Sequence, residues 1–511
     1  DCLLSRGLGD VYKRQPLHMT TFRSSVPHAR DFRPTPFVAA ACALLLAGCA
    51  ATTPYSRPAL DLPTQWAHES TDGAQPAATG PLSPSSAPAQ SAASRWWQRF
   101  GDARLDSLID AALERNADLA RAALNVRQAQ LSVGLSGDPL AIGPEAALSA
   151  GGSRRLDNGR TSNSRASSVT ASVSYTVDLW GRLAAQRDIA AWALQASEAD
   201  RETVRLNVIS TTADLYWQLA FLNQRLANAQ QSLETAQRTQ QLVQAQYTAG
   251  AVSALELREA EQTVLSQRSN LSQLQQSRVE TRNALAVLFD AAPGASVLQQ
   301  VLGAEPGTLP TGPLPRVDEG LPAELLARRP DLRSAEWSLR QSLANVDVVR
   351  TSYYPNLSLT GTVGTSSTSL GNLLANPIAT LGAGLTLPFL NLKEMRLNTE
   401  VARVQYETAV VNFRQTLYQA FADVENALSA RTRLAEQSTL QEQSLVAARE
   451  AERLYEIRYR AGAVPLRTWL DAQESRRSAE INLAQVQLSR LQNQITLFQA
   501  MGGDTVRPST N

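Results

Sequence analysis

Residues 182–249 contain neither Gly nor Pro, an uninterrupted run of 68 positions. Nothing in that run forces the chain out of a helix. Leu215, Leu219, Leu222, Leu226, Ala229, Leu233 and Ala236 recur at alternating spacings of four and three, the seam of a coiled coil. At about 1.5 Å per residue, such a helix is a rod roughly 100 Å long. The motif Tyr247-Thr-Ala-Gly250-Ala-Val-Ser253 interrupts it. A Gly after a long helix is a usual C-terminal cap, and Ser253 can cap a following helix. A second heptad run then begins, with Leu257, Ala260, Val264, Leu271, Leu274, Leu285 and Leu288. The spacing predicts a hairpin of two very long helices.

The hairpin is written twice. Tyr459-Arg-Ala-Gly462-Ala-Val-Pro465 repeats the first tip at an offset of 212 positions (462 − 250). Residues 391–461 upstream of it and 466–501 downstream again lack Gly and Pro. Arg329-Pro330-Asp331-Leu332 answers Asn116-Ala-Asp118-Leu119 at an offset of 213 (331 − 118).

Each long run is preceded by a change of period. Val169, Ala171, Val173, Tyr175 and Val177 alternate with Thr170, Ser172, Ser174 and Thr176, a two-residue repeat that predicts a strand. Residues 146–150 give a weaker strand, with 151–168 as a long polar loop between them. In the second copy, 355–361 and 379–387 give the equivalent pair, each strand about ten residues long. Asp178-Leu-Trp-Gly181-Arg182 and Pro388-Phe-Leu-Asn391 turn the strands into the long helices.

The net charge of +1 on 511 residues gives no reason to expect nucleic acid as a partner. Residues 1–18 precede the first Met and fit no targeting pattern. From Met19, the basic residues Arg23, Arg30 and Arg33 and a short apolar run over 37–46 fit a secretion signal. That run is too short to span a membrane. Leu46-Ala-Gly-Cys49 resembles the bacterial lipobox, which implies a diacylglyceryl and N-acyl lipid, palmitate included, on Cys49. Ala50 after the Cys, by analogy with lipoproteins, implies outer-membrane sorting. Processing at Cys49 removes Cys2, Cys42, His18 and His28, and leaves His68 in a low-complexity segment. A disulfide, a zinc site, a Cys nucleophile and His base chemistry are then all without residues to carry them. No cofactor and no metal are expected, and no enzyme activity.

The expected organisation is therefore a non-native leader plus lipoprotein signal over 1–48 and a lipidated Pro/Ala/Ser-rich tether over 49–94. A first repeat spans 95–290, a linker 291–320, a second repeat 321–502, and a polar tail 503–511. Trp96-Trp97-Gln-Arg-Phe100 ends the tether by packing aromatic side chains on the body. Helical patterns follow over 105–113 and 119–126, with a turn at Asn116.

Four strands are too few to close a barrel, which needs at least about eight, and lipid does not tolerate an open sheet edge. Strands in the membrane would have to share one barrel among several copies; otherwise they form a small soluble sheet packed on the helices. The secretion signal and lipobox favour the membrane. Ala, Gln, Ser and Thr fill most positions outside the narrow seams, as suits a thin-walled tube better than a thick core. An isolated fibrous coiled coil is the alternative.

The doubled layout, the join Val177-Asp-Leu-Trp-Gly181-Arg182 and the paired Tyr-x-Ala-Gly-Ala-Val tips resemble the TolC-like outer-membrane factors. The lipobox brings the chain closest to their lipoprotein branch, which serves resistance-nodulation-division pumps. The resemblance covers roughly residues 95–502. It implies a mainly α fold with a small β part: a long antiparallel coiled-coil α-barrel and four transmembrane β-strands per protomer, completing a 12-stranded β-barrel in a homotrimer. It implies that the tips Gly250, Ala251, Val252 and Ser253, with Gly462, Ala463, Val464 and Pro465, dock a periplasmic adaptor of the membrane fusion type. Asp471 stands where the family often places a pore-facing carboxylate, with Arg467 one turn earlier, Glu474 one turn later, and Glu256 in a similar place in the first repeat. Relatives often carry an apolar residue at the position of Arg467 and a basic one at that of Glu474. The implied function is passive efflux of drugs or other small solutes through the outer membrane, driven by an inner-membrane pump. A surface-anchored coiled-coil lipoprotein, acting as scaffold or adhesin, is the rival reading.

Overall fold

The computed structural model describes residues 53–58, 65–67, 95–154, 161–294, 296–317, 322–368, 372, 375 and 377–503. All of them fall in one compact unit, Ala50–Asn511. The expected signal, Cys49, His68 and most of the tether lie outside the described residues.

A 3-10 turn, Trp96–Phe100, leads into α1 (Ala103–Arg115) and α2 (Ala117–Leu135). The first strands are β1 (Leu140–Arg154) and β2 (Thr161–Val177), followed by α3 (Arg182–Thr248) and α4 (Ala254–Leu288). The short helices α5 (Ser296–Leu302) and α6 (Leu325–Arg328) carry the chain across to the second repeat. There the order recurs as α7 (Pro330–Ser352), β3 (Asn356–Ser367), β4 (Pro377–Thr386), α8 (Leu392–Arg460) and α9 (Leu466–Ala500). The expected ends of α1 and of the long helices are met within a residue or two, because caps end these helices, whereas α2, expected over 119–126, runs on to Leu135. Asn116 separates α1 from α2 by accepting a hydrogen bond from Leu119 N at 3.0 Å.

The sheet is longer than its sequence pattern. β1 and β2 pair in register from Leu140 opposite Tyr175 to Arg154 opposite Thr161. Residues 151–154 and 161–168, expected as loop, are therefore strand. Ten residues per strand is likewise corrected to 15, 17, 12 and 10. The missed ends are rich in Gly, Ser and Arg and carry no apolar alternation. Ladder hydrogen bonds, which any residue but Pro can make, extend the pairing there.

The order is β1-β2-β3-β4, antiparallel throughout. Thr176 pairs with Ser358, Ser174 with Thr360, and Asn356 with Thr386, so one face is hydroxyl-rich. The other carries Ile142, Val173, Leu359, Val363, Leu381 and Leu385, all exposed, Leu381 to 92%. A patch of this kind on a soluble protein would be a liability.

The helical core is thin. Leu219, Leu222, Leu226, Ala229 and Ala236 of the first seam are buried, as are Leu257, Ala260, Val264, Leu274 and Leu285 of the second. α3 packs along α4, and α8 along α9, forming the two hairpins. Where α1 meets the long helices, the expected aromatic cluster forms. Trp96 and Trp97 are almost fully buried, and Trp96 stacks on Phe498 with centroids 4.8 Å apart. The linker is tied to the first hairpin through Glu305, which pairs with Arg278 at 2.9 Å and Arg282 at 3.2 Å. No described helix is long and apolar enough to cross a membrane.

Candidate functional site

The two hairpin tips are built alike. Gly250 takes φ 74° and Gly462 φ 71°, the left-handed conformation that only Gly adopts without strain. In each, the Gly N–H and the following Ala N–H turn back onto the helix. Gly250 donates to Tyr247 O at 2.9 Å and Ala251 to Gln246 O at 2.8 Å; Gly462 and Ala463 donate to Tyr459 O and Arg458 O at the same two distances. This double closure satisfies carbonyls that the helix end would leave unpaired.

The tips then diverge. Ser253 caps α4 in a capping box: its Oγ accepts from Leu255 N at 3.2 Å, and Glu256 Oε2 accepts from Ser253 N at 3.0 Å. The Ser253 hydroxyl also donates to Glu256, which holds that carboxyl below its ordinary range. Pro465 opens α9 with no side-chain cap. Gly250, Ala251, Gly462 and Ala463 are exposed, whereas Val252 and Val464 are half-buried.

A small apolar cluster joins the two hairpins just behind the tips. Val243 and Leu257 from the first meet Leu466 and Trp469 from the second. Tyr459 stacks on Trp469 at 5.2 Å and donates its hydroxyl proton to Gln246 Oε1 at 2.9 Å. Burial raises the Tyr459 phenol. The hydrogen bond across the hairpins and the stack within the second one both escaped sequence reasoning, which read Tyr459 only as part of a turn motif. Its stacking partner ten positions downstream had no periodic signal.

Arg467 reaches Asp471 at 3.9 Å along its own helix, as the spacing of four allows, and Glu259 of the first hairpin at 3.6 Å. Arg467 and Asp471 are 74% and 70% exposed, so each contact is worth at most about 1 kcal/mol. Glu474 turns away from both: its Oε2 accepts from Arg477 Nε at 3.0 Å and Nη2 at 2.6 Å. The structure thus gathers the exposed Arg467 and Asp471 with the half-buried Glu259 into one group. Glu256 serves a cap and Glu474 a separate pair. No cluster of metal-ligating side chains occurs among the described residues.

Comparison with known proteins bears on what such tips do. The family model described as outer membrane efflux protein matches residues 108–289 and 321–503. The pyoverdine export outer membrane protein OpmQ of Pseudomonas putida is 36% identical over 427 residues, covering 80% of this chain and 88% of OpmQ. The open-state MtrE channel of Neisseria gonorrhoeae is similar in structure, with a TM-score of 0.68 at 28% identity, covering 90% of this chain and 100% of MtrE. The outer-membrane channel OprN has a TM-score of 0.75 at 24% identity, covering 89% of this chain and 99% of OprN, and supports the fold alone. The scaffold or adhesin reading gains no support from these relatives. Members of the family work with an adaptor and an inner-membrane pump. The doubled hairpins, the apolar face of the sheet and these matches have one explanation: the chain belongs to the outer membrane efflux protein family, and is a TolC-like efflux channel of the outer membrane that extends into the periplasm.

Proposed function

We propose that three copies of this chain close into one conduit. Each supplies four strands to a shared twelve-stranded barrel and two hairpins to a tube of helices through which solutes pass passively. The observation that carries this reading is an unfinished repeat. Within the chain, the two repeats meet through α3 against α7 and through β2 against β3. The equivalent junction beyond the second repeat is open. α8 exposes Leu397, Val401, Val404, Val411 and Tyr418, spaced in threes, fours and sevens, and β4 ends the sheet. The first repeat has the complementary deficit. α2 exposes Leu124, Leu131 and Leu135, whose counterparts Trp337, Ala344 and Val348 on α7 are at least half-buried, and β1 is the other open edge. A copy of the first repeat docked on the second repeats the internal junction head to tail, and a rotation that closes makes a ring. Lipid does not tolerate open edges, and four strands cannot close alone. Three copies follow the resemblance to TolC-like channels.

In this reading the tip residues Gly250, Ala251, Val252, Ser253, Gly462, Ala463, Val464 and Pro465 meet the helical hairpin of a periplasmic adaptor. A resistance-nodulation-division pump in the inner membrane supplies the energy. Tyr459–Gln246 and Arg467–Glu259 hold the hairpins of one chain together at rest, and Asp471 carboxylates from three copies narrow the axis and gather cations. Glu256 fixes the first tip through Ser253, and Glu474 acts through Arg477. Each lock is weak enough for docking to undo. Lipid on Cys49 anchors the chain in the outer membrane.

The mass of the detergent-solubilised particle, followed by planar-bilayer recording, tests the assembly. Three chains and a steady conductance are expected; a lone chain without conductance sinks the proposal. Asp471→Ala is expected to raise resting conductance while shifting stability by less than about 0.5 kcal/mol. An unchanged resting conductance removes Asp471 from the gate.

A further inference from the structure

We propose that an alcove at the base of the sheet, built around Arg182, is a stopping point for anionic solutes on their way through the channel. This rests on the channel reading and adds a preference of cargo to it. The alcove has a volume of about 260 Å3 and lies where the strands give way to the long helices. Thr176, Asn356 and Thr386 line it, and the pairing Asn356–Thr386 puts it on the hydroxyl-rich face. The opposite face is the exposed apolar one, which faces lipid in a membrane barrel. The alcove therefore opens toward the channel interior.

Its charges are unequal in availability. Two side chains of the acidic and basic kind line it, Asp178 and Arg182. Asp178 Oδ2 accepts from Ala184 N at 2.9 Å and so is engaged at the start of α3. Arg182 forms no ion pair or hydrogen bond among the described residues, although it is only partly exposed. A half-buried guanidinium without a counter-ion, among hydroxyls, is a ready partner for a carboxylate or phosphate. Trp180 and Tyr354 form the aromatic wall, edge to face at 5.3 Å, with the Trp180 Nε1–H spent on Pro355 O at 2.9 Å. That wall offers ring surface, with the Tyr354 hydroxyl as its remaining donor, which suits a solute carrying a flat group beside its negative charge.

The second repeat does not duplicate the alcove. Where Arg182 opens α3, Leu392 opens α8, and Pro388 stands two positions after β4 where Asp178 directly follows β2. A trimer would carry three such cations in a ring at the mouth of the barrel, the arrangement by which basic side chains give a pore anion preference.

Planar-bilayer recording in a salt gradient tests this. Arg182→Ala is expected to shift the wild-type reversal potential toward the cation side, and Arg182→Lys to keep the wild-type value. Benzoate added to the wild-type channel is expected to lower its conductance more than benzylammonium does, and Arg182→Ala to lose that difference. An unshifted reversal potential in Arg182→Ala, or equal or stronger block by benzylammonium in the wild type, overturns the alcove. The benzoate comparison needs no variant, so misfolding of Arg182→Ala does not rescue the idea. Absence of any wild-type conductance overturns the channel reading itself, a separate outcome.

Discussion

Asp214 on α3 shows how a single side chain departs from its sequence appearance. Its Oδ1 is buried without a hydrogen-bond partner among the described residues, and burial pushes its carboxyl from 3.8 up to about 7. A carboxyl raised on folding favours the neutral form, so its contribution is fully present below 3.8 and is lost as the pH climbs toward 7. The shift corresponds to an upper bound of about 4 kcal/mol. Thermal midpoints of the solubilised protein should therefore fall between pH 4 and pH 8. Asp214→Asn should flatten that slope and raise the midpoint at pH 8. A wild-type midpoint unaffected over that range, or a variant as steep as the wild type, would contradict it. Nothing in the sequence singled out Asp214, because its charge sits in a helix where most carboxylates face water.

At the scale of elements, two contacts decide how strands and helices are held. Gly364 on β3 lies so close to β2 that a Cβ there would meet Thr170 Cγ2 at 2.5 Å and Val169 O at 2.7 Å. Gly364→Ala should force the strands apart and cost about 1–3 kcal/mol. Gly361→Ala, where the nearest atom is Leu381 Cδ2 at 3.4 Å, should be nearly silent. Thermal unfolding of both variants checks the contrast, and equal losses would refute it. The second contact ties the segment 53–58 to α7. Asp347 accepts from Thr53 N at 2.6 Å and Thr53 Oγ1 at 2.8 Å, and Glu336 pairs with Arg57 at 2.6 Å. Burial pushes Glu336 up, yet hydrogen bonds from Arg340 and Arg57 outweigh it and leave its carboxyl below the ordinary value. The matching positions of the first repeat are Gly134 and Ala123, so only the second repeat holds the strap. Asp347→Ala should speed chymotryptic cleavage after Tyr55 and cost about 1–3 kcal/mol; unaltered cleavage would show the strap is held elsewhere. Heptads and turn motifs made the helices legible. The strap and the Gly364 contact were not, since each joins positions far apart in the chain.

For the whole molecule, the question is which edge meets which. If β4 of one copy completes the barrel against β1 of the next, Ile142→Cys combined in turn with cysteine at Leu381, Ala383 or Leu385 should cross-link solubilised trimers in one register. Each single-cysteine protein should stay uncrosslinked. Failure of every pair would break the proposed closure. The tip cluster belongs to this scale too: Val243 and Leu257 against Leu466 and Trp469, with Tyr459 bonded to Gln246, hold two hairpins side by side, a contact between repeats that neither repeat announces alone.

The sequence by itself determined the doubled plan, the long helices within a residue or two, and the tip turns, since Gly-capped breaks and heptad seams are local or periodic properties. It also determined the apolar alternation of the strands, which the secretion signal and lipobox assign to lipid over a soluble sheet. Only the tertiary structure decided where the strands end, where Glu256, Glu474 and Arg467 find their partners, and that Arg182 is left without one among the described residues. Those outcomes depend on which distant groups come within about 3–4 Å of each other, and no spacing along the chain encodes that distance.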